Sequence, residues 1–223
     1  MPPHSDSQTS EQSLETLQDI KRMMERSSRF ISLSGLSGVS AGVCAIVGAF
    51  IAHLLIMDYT TYTSDSHARD EFNATWGTAA GNAFATKMLG LAVAVVIAAL
   101  LTSTWFTWRK ARKSQLPIWG HASKKLAINM AIPLAAGGFF ALGLLQHAGW
   151  NFIAPACLVF YGLALVNASK YTLTDIRYLG ILEIALGCIN MYFPHEGLYF
   201  WTTGFGLLHI IYGLIMWWKY ERS

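Results

Sequence analysis

Apolar runs, each close to the length of a membrane crossing, alternate with short polar connections along most of this chain. Six stand out, at about residues 31–56, 84–107, 126–146, 152–168, 178–194 and 198–218. A helix rises ~1.5 Å per residue and a bilayer's hydrocarbon core is ~30 Å thick, so about 20 apolar residues make one crossing. The runs at 152–168 and 178–194 are short, roughly 17 residues each, which implies upright helices or a locally thinned bilayer. The pattern predicts an all-α, polytopic transmembrane bundle of six helices occupying residues 30–219, followed by a short tail at 220–223.

The polar stretch 1–29 has a different rhythm. Leu14, Leu17, Ile20 and Met24 recur at helical intervals behind Thr9 and Gln12, which have capping-box spacing. This predicts a cytoplasmic amphipathic helix that lies on the inner leaflet, docks on the bundle, or engages a cytoplasmic partner.

Composition agrees with the pattern. Hydrophobic residues make up 53% of the 223, charged residues only 13%, and the mean hydropathy is +0.38, too apolar for a water-soluble domain of this length. The charge then fixes orientation. With the N-terminus inside, the inner segments hold Lys21, Arg22, Arg26, Arg29, Arg109, Lys110, Arg112, Lys113, Lys124, Lys125, Lys170, Arg177, Lys219 and Arg222. That is 14 of the 16 Lys and Arg, leaving only Arg69 and Lys87 outside. The expected location is the cell inner (plasma) membrane, multi-pass, with both termini cytoplasmic. The net charge of +3 is therefore a topology signal that also touches anionic headgroups, and no nucleic-acid partner is expected. Cys44, Cys157 and Cys188 lie within apolar runs without CxxC spacing, so neither a disulfide framework nor a zinc site follows.

Candidate chemistry centres on one acid. Glu183 stands in the run "YLGILEIALG", and Gly180, Glu183, Gly187 and Asn190 share one helical face. The last run carries a matching face of Thr202, Gly206, His209 and Gly213. The two faces are expected to meet, because glycines permit close approach and polar groups avoid lipid. At ~1.5 Å per residue, Glu183 lies roughly 9 Å inside Arg177 and His209 roughly 15 Å inside Lys219, which puts the two within reach. A lone charged carboxylate in hydrocarbon costs at least ~2.5–3.5 kcal/mol, so Glu183 and His209 are read as an intramembrane polar pair able to share one proton. The alternative is structural: the acid is neutral, or bonded to a serine of the first run, and holds helices together.

In the first run, Ser34, Gly38 and Gly42 make a small-xxx-small face for helix packing, within the bundle or in a homo-oligomer. The outward ends of alternate runs carry His53, His147 and His195, candidates for metal ligation or, less readily, haem. No metal is assigned to them and no cofactor is expected. No Walker loop, dinucleotide fingerprint or HEXXH pattern appears, which argues against the commoner membrane hydrolases.

Two resemblances accompany these motifs. "GLSG" around Ser37 resembles the nucleophile motif of rhomboid intramembrane proteases, which also have six core spans and a histidine on the last. A Ser37–His209–Glu183 triad is geometrically conceivable, since all three residues fall in the inner half of the membrane. Here, however, the motif falls on the first run rather than the fourth, without the outer-loop asparagine and histidine. The junction "ERSSRFISLSGLSG" and the segment "GLLHIIYG" give the whole chain a likeness to small, uncharacterised six-span bacterial integral membrane proteins of no known activity. That likeness implies a bundle and no reaction.

Three functional readings follow: a structural or regulatory membrane protein that self-associates through its Gly/Ser-rich faces; a small proton-coupled transporter or channel using Glu183 and His209; and a metal- or haem-binding membrane enzyme or redox protein. The balance leans away from an enzyme. The orientation has a direct check. A fluorescent protein fused after Ser223 is expected to fluoresce, and a phosphatase active only outside the cytoplasm to stay silent at the same position.

Overall fold

The computed structural model describes residues 34–62, 79–113, 120–147 and 150–222, together with Thr16. The amphipathic N-terminal helix expected from the sequence lies outside these residues, Thr16 apart. The described chain is all-α. Its helices are α1 (Gly35–Tyr62), α2 (Ala79–Lys113), α3 (His121–His147), α4 (Ile153–Ala168), α5 (Ile176–Asn190) and α6 (residues 197–220). Single turns of 3₁₀ helix, Trp150–Phe152 and Pro194–Glu196, lead into α4 and α6.

Among the described residues, five segments are long and apolar enough to cross a membrane: Gly35–Tyr59, Asn82–Lys113, Ala122–Leu145, Trp150–Ala168 and Pro194–Tyr220. The run expected at 178–194 differs. Its helix has 15 residues, about 22 Å of rise against a ~30 Å core. The early stop has a local cause. The Asn190 side-chain amide donates to the Phe193 carbonyl at 2.9 Å, curling the chain into a turn, and Pro194 then opens the 3₁₀ turn.

The exterior is apolar, and the interior mixes small and aliphatic residues with buried polar ones. Phe50, Leu54, Val93, Leu100, Leu101, Ile132 and Phe139 are exposed, while Ser34, Ser37, Thr172, Glu183, Asn190 and His209 are buried. Such a surface suits lipid. A small aliphatic cluster of Leu165, Leu173, Ile176, Leu179 and Met216 fills the space beneath the α4–α5 turn.

Glycine decides which helices meet. On α1, an added Cβ at Gly42 would lie 2.6 Å from the Gly206 carbonyl oxygen, and one at Gly38 3.3 Å from the Gly213 Cα. From the other side, a Cβ at Gly213 would lie 2.6 Å from the Val39 nitrogen. The α1–α6 contact is thus backbone on backbone. The small-residue face of the first run is spent inside the chain, and is not free for a second copy. The α4–α5 crossing repeats the device. A Cβ on Gly162 would meet the Gly180 carbonyl oxygen at 2.6 Å, and one on Gly180 would meet that of Gly162 at 2.7 Å.

The ends of four elements are tied together by two acids. Glu221 accepts hydrogen bonds from the Gly35 amide at 2.5 Å and the Ser34 hydroxyl at 3.2 Å, and lies 3.4 Å from Lys110 Nζ. It supplies the negative charge that the N-terminus of α1 favours. Asp175, in the α4–α5 turn, accepts from Lys219 Nζ at 2.8 Å and from the Tyr220 hydroxyl at 2.9 Å. The start of α1, the end of α2, the α4–α5 turn and the end of α6 therefore gather at one end of the bundle.

Both features make predictions. Gly213→Ala forces backbone against backbone and is expected to cost about 1–3 kcal/mol of stability, as overpacking does. Gly138→Ala, where an added Cβ meets nothing within 4 Å, should be close to neutral; thermal unfolding in detergent compares the two. The hydrogen bond from Lys219 holds the Asp175 carboxyl below the usual carboxylate range. Its folded-state affinity for a proton is lower than in the unfolded chain, so this tie stabilises the fold above about pH 4 and is lost as pH falls through the lowered value. Asp175→Asn should remove that part of the acid dependence of melting and leave the rest unchanged.

Candidate functional site

Glu183 and His209 meet in the interior of the bundle. Glu183 is fully buried, at 0% exposure, and His209 nearly so at 6%. The Glu183 Oε1 lies 3.4 Å from His209 Nδ1, an ion-pair distance without hydrogen-bond geometry. Neither carboxyl oxygen has a hydrogen-bond partner among the described residues.

The histidine is held more firmly than the acid. Its Nδ1 lies 3.0 Å from the Gly204 carbonyl oxygen and its Nε2 2.8 Å from the Tyr161 hydroxyl. A carbonyl can only accept, so the neutral ring carries its proton on Nδ1, and Nε2 accepts from Tyr161. Three helices thus contribute one titratable side chain each: Tyr161 from α4, Glu183 from α5 and His209 from α6. Aromatic rings surround the imidazole, with the Tyr161 centroid 5.4 Å away and that of Phe205 6.0 Å away.

The backbone is irregular at this point. Within α6, Thr202–Leu208 is π-helical between the α segments Gly197–Trp201 and His209–Tyr220. Such wide turns are rare and recur at functional sites. Here the His209 amide bonds back to the Gly206 carbonyl, and the Gly204 carbonyl takes the ring. Gly204 also makes room for the acid. A Cβ there would collide with Glu183 Oε2 and lie 2.5 Å from Leu158 Cδ2.

The two polar faces read from the sequence touch only around this point. Gly180 packs on Gly162, and Gly187 on Pro155, Leu158 and Val159, so the glycines of α5 serve its contact with α4. Gly206 packs on Ile46 and Gly213 on Val39, both of α1. Thr202 donates to the Leu198 carbonyl of its own helix at 2.7 Å. Asn190 is buried in the turn after α5, its Oδ1 without a hydrogen-bond partner. The expectation that the α5 and α6 faces oppose each other along their length is corrected by a physical fact: the nearest glycine surfaces belong to α4 and α1, and each helix packs where its backbone can approach closest.

The serine alternatives are also resolved. Ser37 Oγ donates to the Ser34 carbonyl at 2.5 Å, and Ser34 Oγ goes to Glu221. Both ring nitrogens of His209 are taken by Gly204 and Tyr161, so the conceivable Ser37–His209–Glu183 triad is not assembled. His53 and His195 are exposed, and His147 ends α3 with a side chain outside the described residues. Among the described residues, no group of three or more His, Cys, Asp or Glu is placed to hold a metal ion.

Tyr161 and Gly204 escaped the sequence reading. Tyr161 sits in "YGL", which has a counterpart at Tyr212, but nothing in the periodicity of α4 directs it at a histidine 48 residues later. Gly204 lies off the Thr202–Gly206–His209 face at ideal α spacing, and only the π turn brings it round. Comparison with known proteins adds no function: no family model, curated protein or solved structure matches the chain.

Proposed function

We propose that this multi-pass integral membrane protein binds and exchanges a proton at Glu183 and His209, as a small proton-coupled transporter or channel does. The observation that carries the reading is Glu183 itself: an acid wholly withdrawn from solvent, both oxygens without a hydrogen-bond partner among the described residues, 3.4 Å from an imidazole nitrogen. An ionisable group in such a place is costly in hydrocarbon, and proton pathways are a principal use of the groups that persist there. A carboxyl that alternates between a neutral form and a charge facing the Nδ1–H side of His209 is not left wholly isolated. The positive residues at the inner segments support an inner-membrane orientation with both termini cytoplasmic, and the gathering of helix ends around Asp175 and Glu221 is compatible with it.

A structural or regulatory role without turnover is the second reading. It is favoured by the glycine contacts, which commit almost every other member of the small-residue faces to internal packing. In that reading a homo-oligomer would form through the exposed apolar sides of α2 and α3, and the N-terminal helix would engage a cytoplasmic partner.

Proton movement separates the two. Purified protein in liposomes carrying an internal pH dye is given a pH step. Wild type is expected to dissipate it, and Glu183→Gln and His209→Ala to slow that by about tenfold or more, as removal of a proton-transfer group does. Infrared difference spectra should contain a carboxyl band that Glu183→Gln abolishes. If all three assemble alike, wild type moves no protons at any pH, and no Glu183 band changes with pH, the structural reading stands instead.

A further inference from the structure

His209 is bonded asymmetrically, and the asymmetry is built by two residues outside the polar pair. The Gly204 carbonyl and Glu183 Oε1 lie on the Nδ1 side, at 3.0 and 3.4 Å; the Tyr161 hydroxyl lies on the Nε2 side, at 2.8 Å. We propose that Gly204 and Tyr161 make His209 a directional relay: Gly204 sets the imidazole proton on the nitrogen facing Glu183, and Tyr161 delivers the replacement at the other. The inference rests on the reading of Glu183 and His209 as a proton site and adds a third carrier and a positioning residue to it.

The protons balance through three bonds. With the Glu183 carboxylate empty, the Nδ1–H bond breaks and an O–H bond forms at Oε1. The Tyr161 O–H bond breaks and an Nε2–H bond forms, so the ring stays neutral throughout. The Tyr161 oxygen regains a proton from a hydronium ion, which leaves as water. When Glu183 releases its proton the same bonds run in reverse, from Oε1–H to Nδ1–H and from Nε2–H to the Tyr161 O–H, and the ring rests in the Nδ1–H form because only that form satisfies both Gly204 and Tyr161. The Tyr161 hydroxyl already stands at hydrogen-bond distance from Nε2, at 2.8 Å, and the Glu183 carboxyl has only to turn toward Nδ1 from 3.4 Å.

Two features make Gly204 specific. Its carbonyl faces the ring because Thr202–Leu208 is π-helical, with the His209 amide bonded to Gly206 instead. Its missing side chain is where the Glu183 carboxyl sits, since an added Cβ would strike Oε2. α1 meets the same stretch of α6 with glycine backbone, Gly38 against the His209 carbonyl and Gly42 against that of Gly206. The titratable groups facing one another here are thus Tyr161, Glu183 and His209.

The test uses the full chain in lipid bilayers. Nitrogen NMR of histidine-labelled protein reads the His209 tautomer, assigned by the signal lost in His209→Ala. Time-resolved infrared after a pH jump reads the rate of Glu183 protonation. Wild type should show the Nδ1–H form. Tyr161→Phe should still protonate Glu183 at equilibrium but about tenfold or more slowly, having lost a proton donor. Gly204→Ala should lose the Nδ1–H preference, and the shorter acid in Gly204→Ala/Glu183→Asp should recover it by vacating the space. A wild-type Nε2–H ring, or an unchanged protonation rate in Tyr161→Phe, overturns the relay while leaving the proton site intact. Absence of any Glu183 proton exchange in wild type overturns both. Should Gly204→Ala fail to fold, the wild-type tautomer and the Tyr161→Phe rate still decide the matter.

Discussion

Where α4 crosses α5, the carbonyl of Gly162 faces the Cα of Gly180, and the carbonyl of Gly180 faces the Cα of Gly162. The same reciprocity joins α1 to α6 through Gly35 and Gly213, while Gly38 and Gly42 meet the carbonyls of His209 and Gly206. In a bilayer there is no hydrophobic drive between helices, because lipid tails are as apolar as leucine; close packing must supply the association. Two pairs of helices drawn to backbone contact form the frame, and the remaining packing is fitted to it. The long helices α2 and α3 keep most of their surface apolar and outward, as lipid-facing helices can.

The polar centre is a consequence of that frame. Once α5 is held against α4 and α6 against α1, Glu183 and His209 are left facing the narrow space between the two pairs, with Tyr161 reaching in from α4. Glu183 ends at 0% exposure because Gly204 offers no side chain to displace it. Shielding from lipid and approach to an imidazole thus come from one cause, the absence of a Cβ at a few positions. The charge-bearing groups at the bundle's end work separately: Glu221 and Asp175 fasten chain segments far apart in sequence through exposed or half-buried contacts, and they set no geometry at the centre.

Much of this was legible in the residues, and the parts that were not have physical reasons. Apolar run lengths gave the all-α class and the sites of all six helices. One run was overestimated, because the Asn190 side chain ends its helix through a bond to Phe193 that hydropathy cannot register. The Glu183–His209 approach followed from depth along two helices. Their faces, however, were paired with the wrong neighbours, since periodicity says which residues share a face and not which helix that face will meet. Tyr161 and Gly204 were missed for a related reason. One depends on tertiary pairing between α4 and α6, and the other on a π turn that shifts the helical phase.

The tightness of the site also bears on what can pass through it. At Gly204 the carboxyl lies directly against a backbone, and at Gly187 the face of α5 above it is closed by Pro155, Leu158 and Val159. Glu183 is wholly withdrawn from solvent, so a solute of several atoms would have to displace the groups packed on it. A proton needs no such opening. In the proton-site reading it passes between groups that already stand 2.8 and 3.4 Å apart, with only local turning of the side chains. The glycine frame that allows the acid to be buried thus also favours, among the species that could visit it, the one that travels without displacing a helix.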